Sequence, residues 1–77
     1  MEEALILIVL ASSFRYESIE ELRKIPGVTE VHPIYGQYDL YVKVKGKEMG
    51  EIRQIVLNIR NSPGIKSTVT CNVIQQT

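Results

Sequence analysis

Twice in this chain an apolar stripe at helical spacing runs into a Pro-Gly pair and then directly into a β-branched run. Lys24-Ile25-Pro26-Gly27-Val28 is echoed by Asn61-Ser62-Pro63-Gly64-Ile65. Proline lacks the N–H a helix needs and crowds the preceding turn, while glycine accepts the backbone reversal that follows. Each pair therefore marks the end of a helix and the start of a strand. The first helix is predicted to run to about Ile25, with Ile19, Leu22 and Ile25 on one side and Ser12 and Ser13 as candidate N-caps. The second follows Gly46 and runs to about Asn61, with Met49, Ile52, Ile55, Val56 and Ile59 as its apolar stripe.

The remaining segments read as strands. One runs from about Glu3 to Ala11 and is apolar on both faces. Two more, Val28 to Tyr35 and Gln37 or Tyr38 to Lys45, meet across a turn at Gly36 as an antiparallel hairpin. Leu40, Val42 and Val44 alternate with Tyr41, Lys43 and Lys45, as in a half-buried strand. The last runs from Ile65 to about Ile74, with Ile65, Val69, Cys71 and Val73 expected on one face and Lys66, Thr68, Thr70 and Asn72 on the other.

The order β-α-β-β-α-β predicts a single α+β domain over residues 1–77. Its expected form is a ferredoxin-like sandwich with a four-stranded antiparallel sheet ordered fourth, first, third, second and both helices on one face. The first strand is then central. One of its alternate sets, Leu5, Leu7 and Val9 or Ala4, Ile6, Ile8 and Leu10, would face water in a single copy. At about 25 cal/mol per Å² of apolar area, a wetted stripe forgoes several kcal/mol, comparable to the stability of a small domain. The expectation is a dimer formed through the open sheet face.

Composition narrows the function classes. Nine Lys plus Arg balance nine Asp plus Glu, so no net field draws the chain to nucleic acid or anionic lipid. The opening apolar run is far shorter than the roughly 20 residues of a membrane span, and Glu2 and Glu3 stand where a signal peptide carries basic residues. A cytoplasmic protein without membrane contact is expected. The inventory for catalysis is one histidine, one cysteine and one aspartate, which argues against an enzyme. His32, before Pro33, reads as a partly exposed histidine on an edge strand, and Cys71 as a small buried hydrophobe. Without a second cysteine or a phosphate-cradling loop, no metal or cofactor is expected.

Two clusters suit a ligand. Tyr35-Gly36-Gln37-Tyr38-Asp39 occupies the hairpin turn, and Thr68 and Thr70 lie two apart on the last strand. Gly36 lets a ligand approach backbone N–H groups, Asp39 supplies an anion and the threonines supply hydroxyls. A free amino acid needs acceptors for its ammonium and donors for its carboxylate. The same residues also serve ordinary ends, since Gly and Asp favour turns and Thr favours strands. Tyr35, Tyr38 and Tyr41 are equally open to two readings, pocket wall or interface filler.

Taken together, Glu20-Glu21-Leu22-Arg23-Lys24-Ile25-Pro26-Gly27-Val28, Tyr35-Gly36-Gln37-Tyr38-Asp39-Leu40 and Pro63-Gly64-Ile65-Lys66-Ser67-Thr68-Val69-Thr70 resemble the effector-binding (RAM) domain of the Lrp/AsnC transcription regulators. The resemblance spans nearly the whole chain. It implies dimers that assemble to octamers or comparable rings, with an amino-acid effector bound between dimers. It assigns ligand contact to Gly36, Tyr38, Asp39, Thr68 and Thr70, and weaker claims to Tyr35, Gln37 and Ser67. No helix-turn-helix precedes the first strand here, so the resemblance is to stand-alone RAM proteins, which act alone or co-assemble with full-length regulators. The short Ser12-Ser13-Phe14 segment departs from relatives with a longer loop there. Two alternatives remain at this point: an oligomerisation adaptor that binds no metabolite, and a small dimeric α+β enzyme.

Overall fold

The structure is a computed structural model, described here for residues 1–73. Strand β1 (Glu2–Leu10) is followed by α1 (Ser18–Arg23), β2 (Val28–Pro33), β3 (Leu40–Gly46), α2 (Met49–Arg60) and β4 (Ile65–Asn72). The sheet is antiparallel with order β2-β3-β1-β4, so the predicted architecture and strand order both hold.

Register decides which face of β1 is covered. Ala4, Ile6 and Ile8 lie opposite Val44, Val42 and Leu40, and all six are buried. Ile19 and Leu22 of α1 and Ile52, Ile55 and Ile59 of α2 close over them, with Leu10, Phe14, Ile25, Val56 and Ile65 packed at the margin. The face left open is therefore that of Leu5, Leu7 and Val9.

Both edge strands carry a register shift just after they begin, between Val28 and Glu30 on β2 and opposite Val9 and Leu10 on β4. The shift on β4 has a consequence. Alternation from Ile65 would put Val69 and Cys71 on the core side, yet Leu7 pairs with Val69 and Leu5 with Cys71 on the open face. Because the extra residue, Lys66, reverses the parity of the strand, Ile65 packs on the core while Val69 and Cys71 do not. Cys71 is exposed, which corrects the expectation of a buried thiol.

Three boundaries also differ from expectation. Helix α1 starts at Ser18, with Glu17 rather than Ser12 or Ser13 at its N-cap position and no side-chain cap. Ser12 and Ser13 instead form a turn, in which the Phe14 N–H donates to the Ala11 carbonyl at 3.0 Å. The hairpin strands end at Pro33 and begin at Leu40, leaving 34–39 as a loop closed by the Ile34 N–H donating to the Asp39 carbonyl at 3.0 Å. The predicted end of the last strand at Ile74 lies outside the described residues.

On the open face, Leu5, Leu7, Val9, Val69 and Cys71 make an apolar stripe along β1 and β4. The β2–β3 half is polar, with Lys43 Nζ 3.8 Å from Glu30 Oε2 and Glu30 Oε1 3.0 Å from His32 Nε2, while Lys45 Nζ lies 3.3 Å from Glu3 Oε1 of β1. His32 is exposed beside the Tyr41 ring, as its place on an edge strand suggested.

Candidate functional site

The hairpin loop is anchored by one residue. The Asp39 N–H donates to the Ile8 carbonyl at 2.8 Å, and its Oδ2 accepts the Leu10 N–H at 2.8 Å. Asp39, just before β3 begins, thereby takes up backbone groups at the end of β1. A carboxylate offers about four lone-pair positions, so this hydrogen bond leaves room for a second donor. At the tip, Gly36 has φ 121° with open space around it, Tyr35 and Gln37 are exposed, and Tyr38 is half-buried.

Across from the hairpin runs the segment that follows β1. Its Ala11 N–H donates to the Gly64 carbonyl at 2.8 Å, and Gly64 sits so close to Phe14 that an added Cβ would fall 2.8 Å from the Phe14 Cα. Phe14 meets Tyr16 edge to face, the ring centroids 6.2 Å apart. Between the two segments lies a cleft of about 720 Å³ bounded by Leu10, Ala11, Phe14 and Tyr16 on one side and Pro33, Ile34, Tyr35 and Asp39 on the other. Its walls are apolar and aromatic, and Asp39 supplies the one acidic side chain among them. Such a cleft can hold an ammonium against a carboxylate with an apolar body on the rings.

The threonines lie elsewhere in the chain. Thr68 pairs with Ile8 and Thr70 with Ile6, which places both on the helix-covered side of the edge strand. Thr70 borders a groove of about 250 Å³ with Met49, Ile52, Arg53, Val56 and Asn72 of α2 and β4. Thr68 borders a separate cleft of about 300 Å³ with Arg60, Ile65, Lys66 and Ser67. Ile8 is flanked by Leu40 on one side and Thr68 on the other, so Asp39 and Thr68 occupy the same end of the sheet. Strand β1 stands between them, two strand spacings or about 9–10 Å.

The sequence pattern offers Asp39 and the threonines as candidates but does not mark Phe14, Tyr16 and Ile34, which line the cleft beside Asp39. The available signal was the Phe14-x-Tyr16 pair directly after the short turn that departs from the family's pattern. Among the described residues no group of three or more His, Cys, Asp or Glu side chains is gathered as a metal ion would need, and no helix is long and apolar enough to cross a membrane.

A four-stranded sheet backed by two helices in this order defines a ferredoxin-like domain of the split-βαβ class, here with an uncovered apolar stripe and clefts at one end of the sheet. Comparison with known proteins places it within that class. Residues 3–77 match the family described as the Lrp/AsnC ligand binding domain, and the chain belongs to that family. The crystal structure of FFRP-DM1 is similar over 96% of this chain and 100% of its own, with 37% identity and a TM-score of 0.87. A Pyrococcus horikoshii protein, PHS023, shares 36% identity at a TM-score of 0.86 over 99% of this chain and 93% of its own. Escherichia coli AsnC shares 28% identity at a TM-score of 0.84, with 97% of this chain covering 52% of that one.

Relatives of another kind are homocitrate synthases. That of Sulfurisphaera tokodaii is 41% identical over 75 residues, which is 96% of this chain but only 16% of the enzyme. The chain therefore spans about a sixth of the length of the curated relatives it matches. The fold alone is shared with a Neisseria meningitidis transcriptional regulator, NMB0573, 17% identical, whose structure was solved in complex with L-Met. A Lrp/AsnC ligand-binding domain of this form fits a regulatory role.

Proposed function

We propose that the chain is an amino-acid sensor that acts through self-association, and that it has no catalytic activity of its own. The effector's ammonium is held by Asp39 and its carboxylate by the Thr68 and Thr70 hydroxyls and backbone N–H groups near Gly36. Tyr38, with Tyr35, Gln37 and Ser67 beside these groups, completes the shell. The observation that carries this reading is the separation of Asp39 from Thr68 across β1, in two different clefts. The two charged groups of an amino acid sit on one carbon and cannot span that distance within one copy. A complete site therefore needs groups from two copies, and a ligand held by both favours the associated state by its differential affinity.

The uncovered stripe of Leu5, Leu7 and Val9 supports pairing through the sheet, and dimers then meet at the clefts to form a higher assembly. Full-length Lrp/AsnC regulators are the partners such an assembly would admit. The L-Met complex of the Neisseria regulator supports a small amino acid as the ligand class. Titration calorimetry of the intact oligomer with the twenty amino acids tests the reading. Saturable binding of one or a few is expected, and no binding by the wild-type protein removes it.

The homocitrate synthases favour a second reading. Because the matched segment is 16% of the Sulfurisphaera tokodaii enzyme, this chain would under this reading sense an amino acid on behalf of a partner enzyme rather than a regulator. Co-purification partners of the tagged chain separate the two. A homocitrate synthase is expected under this second reading, and a DNA-binding regulator under the first.

A further inference from the structure

The two halves of the chain repeat the order strand, helix, strand, with Pro26 and Pro63 at an offset of 37 positions. Buried Leu22 corresponds to buried Ile59, and the register shift at Thr29 to the one at Lys66. Arg23 and Arg60 are equivalent as well, each in the last turn of its helix. In the first half the guanidinium of Arg23 has two partners within the chain: Nη1 pairs with Glu20, and Nη2 donates to the Val31 carbonyl at 3.1 Å.

In the second half the same arrangement lacks its acid. The position of Glu20 is taken by Leu57, which is exposed, and that of buried Val31 by half-buried Thr68. Thr29 is replaced by Lys66. The result is the cleft of Arg60, Ile65, Lys66, Ser67 and Thr68, which holds two cations and two hydroxyls and no carboxylate among its lining residues. Among the described residues neither Arg60 nor Lys66 makes an ion pair or a side-chain hydrogen bond.

We propose that this cleft is an oxyanion site in which Arg60 and Lys66 receive a carboxylate from outside the chain, where Glu20 supplies one from within in the first half. Thr68 donates a third hydrogen bond. The fork of a guanidinium suits the two oxygens of a carboxylate, and Lys66 lines the same cleft. That the carboxylate is the effector's rests on the amino-acid-sensor reading above; that the cleft takes an anion rests on its own composition. Arg60 and Lys66 are then binding residues beyond the Thr-x-Thr pair.

The test uses Arg60→Gln and Lys66→Gln in the intact oligomer with two probes. Calorimetry with the amino acid that binds wild type is expected to show affinity about tenfold or more weaker in each variant, the loss of a hydrogen bond to a charged group. Amide NMR with acetate is expected to show saturable shifts at Lys66, Ser67 and Thr68 that both variants abolish. Arg60 also neutralises the α2 C-terminus, so a small stability loss in Arg60→Gln is separate, and Lys66→Gln supplies the readout free of it. If the amino acid binds the variants as it binds wild type, the assignment of its carboxylate to this cleft is overturned while the sensor reading stands. If wild type binds no amino acid but acetate titrates the cleft, the sensor reading fails and the oxyanion site stands. Absence of any acetate response overturns the site itself.

Discussion

Asp39 shows how one side chain serves both architecture and chemistry. Its carboxylate ends the ladder of β1 by accepting the Leu10 N–H, so Asp39→Ala is expected to lose about 1 kcal/mol, the low end for an amide left without its partner near solvent. Asp39→Asn keeps an acceptor there and is expected to stay within a few tenths of a kcal/mol of wild type while losing affinity for an ammonium. Urea denaturation alongside calorimetry distinguishes the two roles, and equal loss of binding and stability in both variants would make the residue purely structural. Gly64 belongs to the same scale. With φ 83° and the Phe14 backbone against it, it has room for no side chain. Gly64→Ala is expected to cost about 1–3 kcal/mol and to displace the Phe14–Tyr16 wall, whereas Gly36→Ala meets only the conformational penalty at φ 121° because nothing surrounds it. Comparison of the two unfolding midpoints checks this ordering.

At the scale of elements, the two helices differ in what sustains them. Helix α2 is long enough to bond internally and buries Ile52, Ile55 and Ile59. Helix α1 spans six residues without a side-chain cap, and most of its backbone groups lie in terminal turns, so it depends on Ile19 and Leu22. Amide exchange in α1 is therefore expected to be faster than in α2 or β1, and Leu22→Ala is expected to cost about 2–5 kcal/mol. Exchange rates in α1 equal to those of β1 would contradict this account. The strands show where periodicity misleads. Leu40, Val42 and Val44 obey the alternation seen in the sequence, but β2 shifts its register at Thr29 and β4 reverses its parity at Lys66. The burial of Cys71 could not be judged from sequence because a single inserted residue exchanges every later side chain between faces.

For the whole molecule, the decisive surface is the open side of the sheet. Leu5, Leu7 and Val9, with Val69 at 42% exposure, form an apolar band beside a polar half whose charges are already paired. Leu7 lies at the centre of that face, flanked by Tyr41 and Val69. Leu7→Lys is expected to convert the assembly to monomers, measured by light scattering at micromolar concentration, and with it to abolish amino-acid binding. A variant that stays associated would exclude this face as the interface.

The sequence by itself determined the order of elements, the core-facing residues of β3 and, apart from exposed Met49, of α2, the sheet order and the family. These follow from local rules: Pro-Gly breakers, alternation of two, and stripes at helical spacing act between near neighbours and survive without knowledge of the rest. Only the tertiary structure decided which side of β1 is covered, where Cys71 lies, and that the Asp39 carboxylate closes the end of β1 at the Leu10 N–H. Each of those depends on register between segments far apart in the chain. Register is fixed jointly by the edge bulges and by packing of all six elements, so no local pattern carries it.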